Sequence, residues 1–344
     1  MAHPKPAKRS GYGLYVLFFL VFLAIMAYAA YWLFARAEIN NGLQNWIEDQ
    51  RRAGYSVEYQ DLRLDGFPYR FSLEVDAPRY ADPQTGSEWQ GEILQIVAQS
   101  WAPFHAIIRS EGRHEIVLPD GKRIRARLGP KSAASVKWNT SSVTDIGISL
   151  DSTELTYADA GLHLEALNAH TAPVKGVPSR QRIAIDWQSL DLEAAQTLLA
   201  PFAQGLEIFG SEIGPVQLRL ESPVLSLTGA SDTRRRPNDR TEIAQFLFNW
   251  GPLKLGLKGE YTIDARGQLE GTLKLRLEDT DRLKAVLIEA GLVTEEQAVA
   301  LDLIAASSRN GGFLTVAIDD NRLKFLGQTL GVIPDEVVEF LKQI

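Results

Sequence analysis

The chain has 344 residues, enough for one large domain or two medium ones, with 45% hydrophobic and 23% charged residues. Its net charge is −7: four of the 36 basic residues precede Glu38 and no acid does, so the remainder carries eleven more acids than bases. An acidic body excludes a nucleic-acid binder, which needs a basic face against phosphate. The absence of cysteine excludes disulfides, thiolate metal sites and a cysteine nucleophile.

The first element is residues 11–34, GYGLYVLFFLVFLAIMAYAAYWLF, uncharged throughout. At 1.5 Å per residue these 24 residues make about 36 Å of helix, enough to cross a hydrocarbon core of roughly 30 Å with some tilt. A cleavable signal has an apolar stretch of only about 7–15 residues, so the segment is predicted to be kept as an anchor. Tyr12 and Tyr15 at one end and Tyr28, Tyr31 and Trp32 at the other suit interfacial aromatic belts. Lys5, Lys8 and Arg9 precede it, which predicts a cytoplasmic tail at 1–10 and, in a bacterium with two membranes, a periplasmic body on an inner-membrane anchor. Over 35–54, Ile39, Leu43, Trp46 and Ile47 recur at helical spacing before Gly54, predicting a juxtamembrane helix packed on the body, with the bilayer surface as the alternative.

From 55 to 344 the period changes to two. In YRFSLEV, Tyr69, Phe71, Leu73 and Val75 are predicted to face inward, with Arg70, Ser72, Glu74 and Asp76 facing water. The alternation returns in RIRARL, IGISL, LHLEA, RIAIDW, VQLRL, PLKLGLKG, GTLKLRLED and FLTVAID. Turn clusters such as Pro119-Asp120-Gly121, Ala265-Arg266-Gly267 and Asp319-Asp320-Asn321 join antiparallel neighbours. The fold class is therefore mainly β (α+β): a long curved antiparallel β-meander with a few short helices, behind one N-terminal transmembrane helix. The helices are expected at DLEAAQTLLAPFAQ, with Asp191 as cap, at TEIAQFLFNW, with Thr241 as cap, and at DTDRLKAVLIEAG. A fourth, AVALDLIAASS, opens behind the capping box Thr294-Glu295-Glu296-Gln297. The polar stretch Gly229–Arg240 is the candidate break between two halves, with one continuous sheet preferred.

The search for chemistry is mostly negative. No nucleophile elbow, phosphate-cradling loop, dinucleotide fingerprint or zinc-protease motif occurs. Among the histidines, His105 with His114 and His163 with His170 lack ligand spacing, and the acid pairs Asp279/Asp281 and Asp319/Asp320 read as caps and turns. Arg234-Arg235-Arg236 reads as a solvated loop, with contact to anionic lipid headgroups or an acidic partner as the alternative. Arg123, Arg125 and Arg127 read as the wet face of a strand, which would also keep an edge from pairing if that strand were terminal. Gly66-Phe67-Pro68-Tyr69 and Trp101-Ala102-Pro103-Phe104-His105 read as bends at strand ends, with the lip of an apolar cavity as the alternative.

The anchor, the helix around Trp46, GYSVEYQDLRLDGFPYRFSL, QSWAPFHAIIR and FLTVAIDDNRLKFLG with LGVIP together resemble an uncharacterised bacterial family, domain of unknown function 2125. More distantly, the strand-rich body looks like the AsmA-type envelope proteins. That resemblance implies curved sheets with an apolar inner face and a role in phospholipid transport or envelope homeostasis. A sheet with one apolar face must cover it, and a few short helices leave part of it open to acyl chains. The groove candidates are Tyr69, Phe71, Leu73, Leu253, Leu255, Leu257, Leu273 and Leu275. The expected role is a non-enzymatic, lipid-binding or lipid-handling envelope protein without cofactor or metal. Its expected partners are membrane lipid, bound phospholipid or fatty acid, and envelope proteins. The alternative is an assembly factor acting through protein contacts.

Overall fold

The computed structural model describes residues 12–140, 142–157, 160–193, 203–223, 239–295, 298–308 and 312–343. It begins with one unbroken helix, α1 (Tyr12–Arg52). The expected anchor and juxtamembrane helix are thus a single rod, about 60 Å long at 1.5 Å per residue. No helix breaker separates the two halves: Arg36 and Glu38 change the solvent preference of the surface and leave the backbone ladder intact. Termination comes where the sequence puts it, at Gly54, whose φ of 96° suits a residue without Cβ.

Twenty-three strands then form one antiparallel sheet among the described residues. Most of the long strands are interrupted once, and each half pairs within its own panel. The first panel joins β1 (Ser56–Glu58), β4 (Arg79–Asp82), β5 (Ser87–Gly91) and β8 (Gly112–Val117). It continues through β9 (Arg123–Leu128), β12 (Thr153–Tyr157), β13 (Ala160–Glu165) and β16 (Ser189–Asp191). The second panel joins β2 (Asp61–Asp65), β3 (Arg70–Asp76), β6 (Ile93–Gln99) and β7 (Ala102–Arg109). Beside them lie β10 (Ala133–Trp138), β11 (Val143–Leu150), β14 (Leu167–Val174) and β15 (Val177–Trp187).

The interruptions line up as a seam through Ala77-Pro78, Glu92, Ser110-Glu111, Gly129–Ser132, Asp151-Ser152, Ala166 and Gln188. Ala77 and Ala166 take positive φ there. The ladder is bridged across the seam by Ala77 N–H to Glu92 O and Gln188 N–H to Glu165 O. Such breaks let a long sheet bend without breaking its register on either side.

Both panels meet at β17 (Glu212–Pro223), which pairs with β15 and with β16. Beyond it follow β18 (Thr241–Trp250), β19 (Leu253–Ile263), β20 (Leu269–Glu278), β21 (Leu314–Asp319), β22 (Arg322–Phe325) and β23 (Gln328–Val332). Because β17 pairs directly with β18, one sheet runs across the polar stretch of which Gly229–Asn238, like Arg234-Arg235-Arg236, lies outside the described residues.

TEIAQFLFNW is a strand and not the helix that its spacing predicts. Ile243 pairs with Gly259 and Phe246 with Leu257, so three steps on β18 oppose two on β19. That bulge brings Ile243 and Phe246 into neighbouring register positions, and the apolar interval of three imitates a helix. Of DLEAAQTLLAPFAQ, only the end is described, as part of α2 (Ala203–Phe209); Asp191 ends β16, with its Oδ1 accepting from Glu193 N–H at 2.9 Å. The C-terminal helical hairpin stands as read, α3 (Thr280–Glu289) and α4 (Val299–Ser308) between β20 and β21, closed by Lys284 on Asp302 at 2.8 Å. Glu296 and Gln297 of the capping box lie outside the described residues. A last helix, α5 (Asp335–Gln343), follows β23.

Candidate functional site

Antiparallel partners directly opposite one another point to the same face, so register converts local alternation into a surface. From α1 outward, one line of partners reads Leu64, Leu73, Ile96, Ile108, Ala134, Ile148, Ala169, Ile185, Leu218, Phe246, Leu257, Leu275 and Leu314. Every member is apolar. A second line beside it reads Phe71, Ala98, Ala106, Val136, Ile146, Thr171, Ile183, Leu220 and Ile243. The opposite face is wet, with Arg63 on Glu74 at 2.8 Å, Arg219 on Asp186 at 2.7 Å and Ser149 donating to Asn168 at 2.9 Å.

The two described core clusters lie at the ends of this apolar stripe. At one end Trp32 packs with Leu64 and Phe71. At the other, Tyr261, Leu269, Leu273, Leu314, Val316 and Ile318 pack with Ile333 and Val338. Between them the stripe is open: Ile96, Ile108, Ile146, Ile183 and Ile185 are half-buried and Ile148 is 41% exposed. A contiguous apolar surface of this kind is uncommon on the outside of a soluble protein.

Near its far end the stripe deepens into a cavity of about 470 Å³, within the size range of small-molecule sites. Its walls come from β17 to β22, including Leu218, Leu220, Phe246 and Ile318, with Val337 and Leu341 of α5 completing the lining. Each of its fourteen lining residues is aliphatic or aromatic.

Among the groove candidates, Leu255, Leu257, Leu273 and Leu275 line this cavity. Leu253 shares their face at the start of β19, beside but not on the wall. Phe71 and Leu73 belong to the stripe at its opposite end, against Trp32 and Ala35 of α1. Tyr69 breaks the inward expectation: it is 70% exposed. The strand starts at Arg70, so the preceding residue belongs to the hairpin and escapes the alternation. Register supplies the missing members Ile96, Ile108, Ile148 and Ile185; each strand shows its own alternation in sequence, but nothing local says which residues are neighbours.

Polar chemistry gathers elsewhere. A recess of about 400 Å³ on the first panel is lined by Glu92, Arg113, His114, Glu115, Arg125, Arg127 and Glu154. Arg113 lies on Glu92 at 2.7 Å, and its hydrogen bonds hold the Glu92 carboxyl below its usual range; Arg123, beside the recess, lies on Glu115 at 2.9 Å. His114 stacks on Trp89 with ring centroids 6.2 Å apart, and burial pushes its pKa down. His105 meets Ser135 at 2.9 Å and His170 lies 3.8 Å from Asp145. No cluster of metal-ligating side chains occurs among the described residues. The arginine strand β9 is paired on both sides, with β8 and β12, so its charges line a face and guard no sheet edge.

A helix long and apolar enough to cross a membrane, leading into a two-faced antiparallel sheet with one open apolar stripe, defines the class of this protein. The chain belongs to a family described as uncharacterized protein conserved in bacteria (DUF2125), which matches residues 32–320. That span starts at Trp32 and covers the sheet as far as the β21–β22 turn. No curated protein and no solved structure matches the chain.

Proposed function

We propose that this is a single-pass anchored envelope protein whose body, on the periplasmic side, holds lipid acyl chains along the apolar stripe. The observation that carries the reading is the unbroken line from Leu64 to Leu314, half-exposed at its centre and ending in the 470 Å³ apolar cavity. Each methylene moved from water onto such a surface gains about 0.8 kcal/mol, so a long acyl chain gathers on the order of 10 kcal/mol before ordering costs. Three basic residues ahead of the apolar helix support the orientation. The likeness to AsmA-type proteins adds an analogy of architecture and no residue.

The test uses Leu255, which is half-buried on the cavity wall. In a filled core Leu255→Trp would cost about 1–3 kcal/mol. With an open cavity to receive the indole, the melting temperature of the detergent-purified chain should hardly move while capture of a fluorescent fatty acid falls. Native mass spectrometry of the unmodified chain should show co-purifying phospholipid. A bare protein that captures no lipid below micelle formation would leave the assembly factor as the reading.

A further inference from the structure

The two aromatic-proline clusters lie on adjacent hairpins of the second panel, and both hairpins touch α1, the second through Ser100 just before its cluster. Tyr28 Oη donates to Pro68 O at 2.5 Å and lies 2.6 Å from Ser100 Oγ. Tyr31 Oη donates to Ser100 O at 3.1 Å, and Trp32 Nε1 to Arg70 O at 3.2 Å. Three side chains of the apolar run thus hold the β2–β3 and β6–β7 hairpins. Tyr28 lies six residues before Phe34, roughly 9 Å along the helix, and Trp32 about 3 Å. The hairpin tips therefore stand level with the last turns of the apolar run. The first acid on either element comes one step further out, where Arg36 meets Asp65 at 4.0 Å.

Beside these contacts the tips present large apolar side chains outward. Phe67 is 55% exposed, Tyr69 70%, Trp101 64% and Phe104 53%. Residues 66–70 and 99–105 contain no acid; their only titratable groups besides Tyr69 are Arg70 and His105. Aromatic side chains at the level where a helix leaves the hydrocarbon are the pattern of an interfacial belt.

The geometry points to a second membrane attachment: the hairpin tips carrying Phe67, Tyr69, Trp101 and Phe104 insert into the bilayer leaflet from which α1 emerges. The inference rests on the reading that residues 11–34 cross that bilayer. It goes further by seating the body on the lipid, with one end of the apolar stripe, at Phe71 and Leu73, directly above the acyl chains. Phe67 meets Trp32 and Phe104 meets Trp138 by one edge only, and on a body held away from the bilayer the rest of each ring would face water.

The chain has no cysteine, so single spin labels report single sites. Full-length protein carrying Leu20→Cys, Trp101→Cys, Phe104→Cys or Gln84→Cys is reconstituted in phosphatidylethanolamine–phosphatidylglycerol vesicles. Gln84 is exposed in the β4–β5 turn, at the opposite end of the interrupted strand that starts beside Tyr69. Collision rates with oxygen and with a water-soluble nickel chelate are then compared, all four sites being exposed enough to tolerate the label. Labels at 101 and 104 should resemble the label at 20, several-fold shielded from nickel and open to oxygen, while 84 stays open to nickel. Tips as open to nickel as position 84, beside a shielded position 20, overturn the insertion and spare the span. Tips shielded from both reagents mean burial against protein and overturn it too. A nickel-accessible position 20 removes the span, and the insertion with it.

Discussion

Trp32 carries the joint between helix and sheet. It is 3% exposed, stacks on Phe71 with centroids 5.4 Å apart, meets Phe67 edge-on at 5.3 Å and spends its one donor on Arg70 O. Arg36 lies over its ring at 5.8 Å. A tryptophan in the last turn of an apolar run suggests an interfacial anchor facing lipid, and here the same residue faces protein. Removing it opens a void and strands a paired carbonyl, so Trp32→Ala should cost about 3–5 kcal/mol in a denaturant melt of the full chain. An exposed ring such as Trp101 should change stability by well under 1 kcal/mol when truncated. Equal effects at the two positions would mean that α1 does not dock as described.

At the scale of elements, β18 to β20 show how backbone detail overrides pattern. Gly259 on β19 holds φ 148°, and a Cβ there would run into the carbonyl of Thr272 on β20. Gly256, three residues earlier, would place a Cβ 3.5 Å from Arg276 Nε, an ordinary contact. Gly259→Ala should therefore destabilise by about 1–3 kcal/mol, since an L-residue is strained at that φ and the strands must separate. Gly256→Ala should be neutral or stabilising by up to about 1 kcal/mol, through the loss of freedom in the unfolded chain. The two glycines look alike in PLKLGLKG; a thermal melt that ranked them the other way would contradict the β19–β20 register. The same region explains TEIAQFLFNW. A bulge shifts apolar spacing from two to three, and no local rule separates that from a turn of helix.

Over the whole molecule, the stripe turns thirteen separate alternations into one surface, and its continuity can be broken at the middle. Ile148 lies on β11, far from both core clusters and 41% exposed. A charge there meets water as well as apolar neighbours, so Ile148→Glu should cost no more than about 1 kcal/mol of stability. If acyl chains lie along the stripe, the same change should lower capture of a long-chain fluorescent fatty acid and spare a short one able to lodge in the cavity alone. Unchanged capture of both would confine binding to the cavity between β17 and α5.

The amino-acid sequence by itself determined the apolar helix, the two-residue period of the strands, the turns at Pro119-Asp120-Gly121 and Asp319-Asp320-Asn321, and the hairpin of α3 and α4. These follow from interactions within a few residues: helix rise, pleat and turn chemistry; the cap expected of Asp279 does not form, since its side chain makes no capping bond to α3. It also marked Leu255, Leu257, Leu273 and Leu275, because each stands in a strand with clean alternation. Only the tertiary structure decided that Phe71 and Leu73 meet α1 while those four leucines line a cavity many strands away. Likewise, only docking decided that Trp32 faces protein, that Tyr69 falls outside its strand, and that the aromatic-proline hairpins stand beside the last turns of the apolar run. The physical reason is that register and docking depend on pairings between residues distant in the chain. A strand's alternation says which side chains share its face; the neighbour across the ladder decides what that face becomes.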